Sequence, residues 1–245
     1  MPYNGIYQIN NKDAFKLSRS KVELYHNCKR CFYLDRKYNI KHPFGFPFNL
    51  NNAVDELLKK EFDIYRKKKE PHPYMLDLDF NALPYQHNDL DKWRHNFTGV
   101  FFEYKPTNFH LFGAVDDIWI NTDTDELIVV DYKATSKEGE VTLDAPWQIA
   151  YKRQLEFYQF LLRGAGFKVM DTVYFVYCNG LRDKKTFNEK LEFKVKIIPY
   201  EGNTSWIEPT LKEIHDLLNQ NEMPLPSKNC DYCNYLQKRY LQAIK

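Results

Sequence analysis

Two aspartates and a lysine within residues 112–135 carry the first chemical signal. The stretch FGAVDDIWINTDTDELIVVDYKAT holds six acidic side chains, three of them in the polar run NTDTDE, where a solvated turn accounts for them. Asp131 does not fit that account. It ends the apolar run Leu127-Ile128-Val129-Val130, and Lys133 follows two residues later. Strand periodicity puts Asp131 and Lys133 on one face and Tyr132 on the other. A hairpin turn centred between Asp123 and Thr124 pairs Ile120 with Leu127, Ile118 with Val129 and Asp116 with Asp131. Residues opposite each other in such a ladder carry Cβ atoms about 4.5–5.5 Å apart. Two carboxylates at that distance repel in a partly buried site unless a cation or proton lies between them. Asp117 points to the opposite face and is the weaker candidate.

This trio suits phosphodiester hydrolysis with a divalent metal. Mg²⁺ takes oxygen ligands and uses one or two carboxylates while keeping several waters. A metal-activated water attacks phosphorus, the metal stabilises developing charge, and a nearby ammonium orients the nucleophile. The alternative is a structural ion pair in which Lys133 only neutralises the aspartates.

A second signal comes from the five cysteines. Cys28 with Cys31, and Cys230 with Cys233, form Cys-x-x-Cys pairs near opposite ends of the chain. In a reducing compartment this spacing points to metal binding or redox chemistry rather than disulfides. If the terminal segments meet, four thiolates suit a tetrahedral Zn²⁺ or a [4Fe–4S] cluster. The alternative is four unrelated reduced cysteines in packed helices. Cys178, within VYFVYC, reads as a small buried apolar residue.

Positioning these groups requires a recognisable set of elements. Residues 17–38 read as one helix capped by Ser18 or Ser20, with apolar positions at Val22, Leu24 and Tyr25. Residues 51–69 read as a clearer helix, its stripe being Val54, Leu57, Leu58, Phe62 and Tyr65. Three prolines and polar clusters make 70–98 a loop-rich insertion. Strands are expected at 99–105, about 110–120 and 127–134. Residues 145–166 form a long helix, with Pro146 in its first turn and Gly164 or Gly166 to stop it. DTVYFVYC and EFKVKIIPY make a further strand pair, and a helix follows at about 206–220. Three strands, a long helix and two strands, flanked by helices, imply an α/β fold with a mixed sheet.

Composition adds outer bounds. A chain of 245 residues is long enough for one sizeable core. A net charge of +2 is too small to imply a polyanionic partner by itself. The start, MPYNGIYQINNKDAFKL, lacks a basic region followed by an apolar run, so no signal peptide is expected. The longest apolar runs are far too short to span a bilayer. A cytoplasmic, intracellular protein with no membrane partner is the resulting expectation. The basic YRKKK at 65–69 ends a helix, where solvated cations complement the dipole. Lys152, Arg153 and Arg163 on the long helix, and Arg19, Lys29 and Arg30 near the first cysteine pair, are candidates for phosphate contacts. Some of the many Tyr and Phe rings are candidates to stack unpaired bases, although most belong in the core.

In series, Gly113-Ala-Val-Asp116, Asp131-Tyr132-Lys133 and Gln154-x-x-x-Tyr158 resemble the signature of PD-(D/E)XK nucleases. The likeness covers about residues 18–240 and is to the RecB-like branch, which includes CRISPR-adaptation nucleases and nuclease domains of recombination helicase complexes. It implies a restriction-endonuclease-like core in one domain over 1–245. That domain comprises an N-terminal helical part (17–69), a catalytic sheet-and-helix core (99–200) and a C-terminal helical, cysteine-containing segment (206–245).

By the same resemblance Asp116 and Asp131 bind Mg²⁺ or Mn²⁺, with the backbone carbonyl of Tyr132 as a further ligand. Lys133 positions the attacking water, and Gln154 and Tyr158 organise the site or the nucleic acid. Read from periodicity alone, Tyr158 belongs instead to the core stripe of Leu155, Leu161 and Leu162. The family often carries a metal-binding His on an early helix. Asp55 stands in the corresponding place here, and its alternative reading is an exposed helix-face residue. Some RecB-like nucleases hold an iron–sulfur cluster with one early and three late cysteines. Here the third late position is Arg239, so the pattern becomes two and two, with [4Fe–4S] slightly preferred to structural Zn²⁺.

The implied function is a metal-dependent DNA exonuclease acting on single-stranded or frayed ends, serving recombination, antiviral CRISPR adaptation or a mobile element. The competing readings are a catalytically inactive nucleic-acid-binding scaffold that keeps the nuclease fold, and a metal-stabilised interaction module.

Overall fold

The computed structural model describes residues 5–10, 12–43 and 45–244. The chain divides into two compact units. One comprises Met1–Phe46, Glu103–Phe112 and Ser205–Lys245; the other comprises Pro47–Phe102 and Gly113–Thr204.

The second unit is built on a five-stranded mixed sheet in the order β2-β5-β6-β7-β8. Its strands are β2 (Ala82–Pro84), β5 (Asp117–Asn121), β6 (Glu126–Thr135), β7 (Thr172–Gly180) and β8 (Phe193–Glu201). β5 and β6 form the expected hairpin in the expected register, Ile118 opposite Val129 and Ile120 opposite Leu127. Asp125 takes a left-handed conformation in the turn (φ 58°), which Asp tolerates better than most side chains. β6 and β7 run parallel. A parallel pair needs a long crossover, and α5 (Ile149–Gly164) lies within it. Leu127 to Tyr132 are all buried, as expected for a central strand covered on both faces. Ile128, Val130 and Tyr132 pack with Leu58 and Phe62 of α3 (Asn49–Lys68). The odd-numbered face, which carries Asp131, meets Gln154 of α5.

Three expectations for this unit need correction. The segment 70–98 is more than loop: it holds a 3-10 turn at Pro73–Met75, the edge strand β2 and a short helix α4 (Leu90–Arg94). Pro84 is tolerated in β2 because an edge strand need not donate to a second neighbour. The single strand expected at 110–120 is two, β4 (Phe109–Gly113) and β5, which lie in different sheets. The break has a local cause: the Val115 N–H donates to the Trp93 carbonyl instead of a ladder. Gly99 packs its backbone against Gly113 with φ +60°, where any Cβ would strike the Gly113 carbonyl. On α3, finally, Leu57 is 63% exposed, and the buried line runs through Leu58, Phe62 and Arg66 at four-residue spacing.

The first unit carries β1 (Phe15–Ser18), which pairs in parallel with β4 in a three-stranded sheet of order β1-β4-β3, where β3 is Val100–Tyr104. The helix expected over 17–38 is two helices, α1 (Arg19–Asn27) and α2 (Lys29–Tyr38). Cys28 separates them in extended conformation (φ −160°, ψ 110°) and serves as the residue preceding α2. Ser18 precedes α1 but makes no side-chain capping bond. α6 (Ile207–Leu218) buries Ile207, Leu211, Ile214, Leu217 and Leu218 along one face, and α7 (Asp231–Ala243) follows the proline-interrupted tail. Among the described residues no helix is long and apolar enough to cross a membrane.

Candidate active site and metal centre

Asp117 opposite Val130 is the last ladder pair of the hairpin, which leaves Asp116 one step beyond the end of β5. There its Oδ2 accepts the Tyr132 N–H at 3.0 Å, tying the carboxylate to the strand that carries Asp131. Asp131 is fully buried. Its Oδ1 accepts from Gln154 Nε2 at 3.0 Å, and its Oδ2 forms an ion pair with the Lys133 ammonium. Burial lifts the Asp131 carboxyl to about 7, against the pull of Lys133 and with the push of Asp116. Burial likewise opposes the charge on Lys133, but Asp131 and Asp116 hold it above the ordinary lysine range. The Lys133 ammonium also lies 4.6 Å from the centre of the Tyr151 ring.

Helices α3 and α5 complete the site. A cavity of about 380 Å³ is lined by Asp55 and Lys59 from α3, Asp116 and Lys133 from the hairpin, and Tyr151 and Gln154 from α5. Asp55 is therefore a half-buried cavity residue rather than an exposed helix-face one. Its Oδ2 accepts from Lys59 at 2.6 Å, while its Oδ1 is buried with no hydrogen-bond partner. Burial and the neighbouring Asp116 raise its pKa, against the pull of Lys59 and Lys133. Tyr132 also lines the cavity, although its phenol leaves for the opposite face. Tyr158 is buried in the core, and its hydroxyl receives Gln154 Nε2 at 3.2 Å. It touches the site through Gln154, so its core position and its contact with the site hold together.

This donor set fits a hard divalent cation. Asp55 and Asp116 line the cavity, Asp131 adjoins it through its contacts with Lys133 and Gln154, and Asp55 Oδ1 is buried with no hydrogen-bond donor. Buried polar atoms are rarely left so, and all-oxygen ligation suits Mg²⁺ or Mn²⁺.

Sequence reasoning missed the scaffold beneath. Asp117 is fully buried: its Oδ1 meets Arg66 and, at 2.8 Å, Arg94 Nη2, and its Oδ2 receives the Tyr132 hydroxyl at 2.6 Å. Arg94 also binds Asp63 at 2.9 and 3.1 Å and donates from Nε to the Asp116 carbonyl at 3.1 Å. Arg66 is thus not part of a solvated basic helix end. A signal existed, because Arg66 continues the Leu58–Phe62 line at four-residue spacing. Arg94 left no such trace, lying in the segment read as loop. Arg163, a candidate for phosphate, instead binds the carbonyls of Val169 and Met170 and the carboxylate of Asp171.

Within the first unit the four expected cysteines come together. The ligand atoms of Cys28, Cys31, Cys230 and Cys233 all lie within 4.8 Å of one another. Closest are Cys31 to Cys233 at 3.5 Å, Cys31 to Cys230 at 3.6 Å and Cys28 to Cys233 at 3.9 Å. The tail is folded back onto α2 by polar bonds: Arg30 Nε to the Pro224 carbonyl at 2.8 Å, and the Tyr33 hydroxyl and Lys37 to the Gln220 carbonyl. Burial opposes ionisation of Cys28, but hydrogen bonds from the Ser227 and Cys31 backbone and from neighbouring thiols bring it down to about 6. Burial and the adjoining thiols push Cys31 far up. This is the behaviour of a thiol cluster that shares one charge until a metal takes the protons' place. Arg239 is exposed on α7, while Cys178 sits in the apolar core around Trp119, its thiol pushed up to about 11 by burial.

The sequence model of the PD-(D/E)XK nuclease superfamily matches residues 47–237. The chain belongs to that superfamily. This PD-(D/E)XK protein has the metal-dependent nuclease fold, whose members use divalent metals and bind nucleic acid, and its mixed sheet with flanking helices agrees with that fold. No curated protein matches the chain.

Proposed function

We propose that this protein is a divalent-metal-dependent DNA nuclease of the RecB-like branch, acting as an exonuclease on single-stranded or frayed ends. The observation that carries the proposal is the convergence of Asp55, Asp116 and Lys133 on one cavity of a superfamily member, with Asp131 joined to it through Lys133 and Gln154 and Asp55 Oδ1 left without a donor. Asp116, Asp131, Asp55 and the Tyr132 carbonyl would hold Mg²⁺ or Mn²⁺. Such a cation would polarise the phosphodiester and ease deprotonation of the attacking water. Lys133 orients that water, and Gln154, steadied by Tyr158, orients Asp131. Phe48, exposed on the rim, and the edge-to-face pair Trp147–Tyr151 offer ring faces to unpaired bases. The RecB-like resemblance supports an intracellular role, in one nuclease domain spanning 1–245, beside recombination or CRISPR-adaptation partners.

The test compares the wild type with Asp131→Ala and Lys133→Ala on labelled linear and circular DNA, with Mg²⁺, Mn²⁺ or EDTA. Cleavage of linear DNA that EDTA abolishes and each substitution lowers by roughly 10²-fold or more is expected. Cleavage of closed circles would make the enzyme an endonuclease. No divalent-dependent cleavage of any substrate would leave the inactive scaffold, a reading that the Lys59–Asp55 and Lys133–Asp131 ion pairs favour.

We infer further that the cysteines hold one structural zinc ion. A regular tetrahedron with Zn–S bonds of about 2.3 Å has sulfur–sulfur edges of about 3.8 Å; three of the six separations are 3.5, 3.6 and 3.9 Å, and all six lie within 4.8 Å. In a [4Fe–4S] cluster each thiolate serves its own iron, which spreads the four sulfurs farther apart. The family resemblance favours the cluster, and the spacing favours zinc. Metal analysis and visible absorption of anaerobically purified protein decide: one zinc per chain and no colour is expected, whereas a brown, iron-containing protein would overturn the assignment.

A further inference from the structure

Lys59 has no part in the functional reading above, yet it sits inside the cavity. Its ammonium lies 2.6 Å from Asp55 Oδ2 and 3.8 Å from Asp116 Oδ1. We propose that Lys59 is a second functional cation of this site. It stands between Asp55 and Asp116 while they are free of metal, and turns to a non-bridging oxygen of the phosphodiester once they are engaged. The inference rests on the reading of the cavity as a metal-dependent hydrolytic centre.

The bland alternative is a helix-surface ion pair between residues four apart. Such a pair is solvated, joins two side chains of one helix and contributes about 0.3–0.5 kcal/mol. Lys59 differs on the first two counts. Its side chain is only 22% exposed, and it reaches beyond α3 to a carboxylate at the end of the hairpin. Nor does the pair satisfy Asp55, whose other oxygen is buried without a donor. The remaining cations of the cavity are committed elsewhere: Lys133 to Asp131, and Arg94 to Asp63 and Asp117. Lys133 also pairs with a candidate metal ligand but already has a role at the attacking water, whereas Lys59, held by the candidate ligands Asp55 and Asp116, has none. A metal that takes those oxygens therefore releases Lys59, whose flexible four-carbon stem lets it follow the new negative charge.

Formal charge points the same way. With Arg94 spent on Asp63 and Asp117, and with the adjoining Asp131 counted as ionised as a metal ligand would be, Asp55, Asp116 and Asp131 against Lys59 and Lys133 leave one negative charge. One divalent cation turns this to one positive charge, which matches a singly charged phosphodiester. A second divalent cation would leave a large uncompensated excess in a half-buried site. Lys59 thus stands where a second metal would otherwise serve, as an electrostatic contact that transfers no proton.

The test measures Mn²⁺ binding to the full chain by titration calorimetry and electron paramagnetic resonance, alongside cleavage of single-stranded DNA, for the wild type, Lys59→Met and Lys59→Arg. The wild type is expected to bind one Mn²⁺ per chain beyond the metal of the cysteines. Lys59→Met should bind Mn²⁺ about tenfold more tightly, because a competing cation is gone, while kcat falls about tenfold or more. Lys59→Arg should recover part of the kcat. Two Mn²⁺ per wild-type chain, or a Lys59→Met variant with unchanged or weaker Mn²⁺ affinity or an unchanged kcat, would overturn the inference. Asp131→Ala separates the two levels. If it cleaves like the wild type, the hydrolytic centre itself is misread; if it is dead while Lys59→Met behaves as wild type, only the role of Lys59 fails.

Discussion

The carboxylate cavity and the cysteine cluster solve opposite problems. The cavity collects like charges and leaves them room: about 380 Å³, two lysines, and a buried Asp55 oxygen without a donor. The cluster is closed, with Cys28, Cys31 and Cys230 buried and the four sulfurs within 4.8 Å of one another. An open site with an unmet oxygen suits exchange of water and substrate, whereas a closed all-thiolate site suits a metal that never leaves. Their assembly differs too. The cavity grows from one hairpin whose register brings Asp116 beside Asp131, while the cluster needs chain segments some 200 residues apart, as in the Cys31–Cys230 contact with a separation of 199.

The largest expected effect lies at the closed site. Cys31→Ser should abolish stoichiometric metal and lower the thermal midpoint strongly, because metal affinity at a structural site, about 10–16 kcal/mol for zinc peptides, is folding free energy. Metal analysis and circular dichroism melting read both, with Cys178→Ser as the control that retains its metal. A variant that keeps its metal and its melting point would make the two sites less different than they look.

Next comes the scaffold under the open site. Asp117→Ala leaves Arg66 and Arg94 buried without their shared carboxylate, and urea unfolding should show a loss of about 3–5 kcal/mol. Mn²⁺ affinity should weaken as well, since Arg94 also holds the Asp116 carbonyl. A loss of under about 1 kcal/mol would mean that water takes over from Asp117, and that the cavity needs no rigid base.

The smallest effect is a pH dependence in the same unit. His72 is buried, and its Nδ1 accepts the Tyr74 N–H at 3.1 Å, so the neutral ring is the one that fits. Burial lowers its pKa below 6.5, although Glu61 pulls it up. The unfolded chain therefore binds the proton more readily. Stability from this group is complete above pH 6.5 and declines as the pH falls through that value toward the folded pKa. Thermal midpoints at pH 7.5 and 5.5 should differ less in His72→Gln than in the wild type.

Much of this was legible in the residues. The Asp123–Thr124 turn and the two-residue period of a strand are enough to set Asp116 near Asp131 and Lys133, and the long helix carrying Gln154 follows from its own spacing and its Pro146. Each Cys-x-x-Cys pair marks its own half of a thiolate site in the same way. All of these are short-range regularities, imposed by backbone geometry on neighbours along the chain. Which segment lies across from which is a different matter. The split of 110–120 into two sheets, the burial of Arg66, the clamp of Arg94 on Asp116 and the entry of Asp55 and Lys59 into the cavity all depend on contacts between elements distant in sequence. A buried charge carries no local mark of its partner, because its cost is met only by the opposite charge that tertiary packing brings to it.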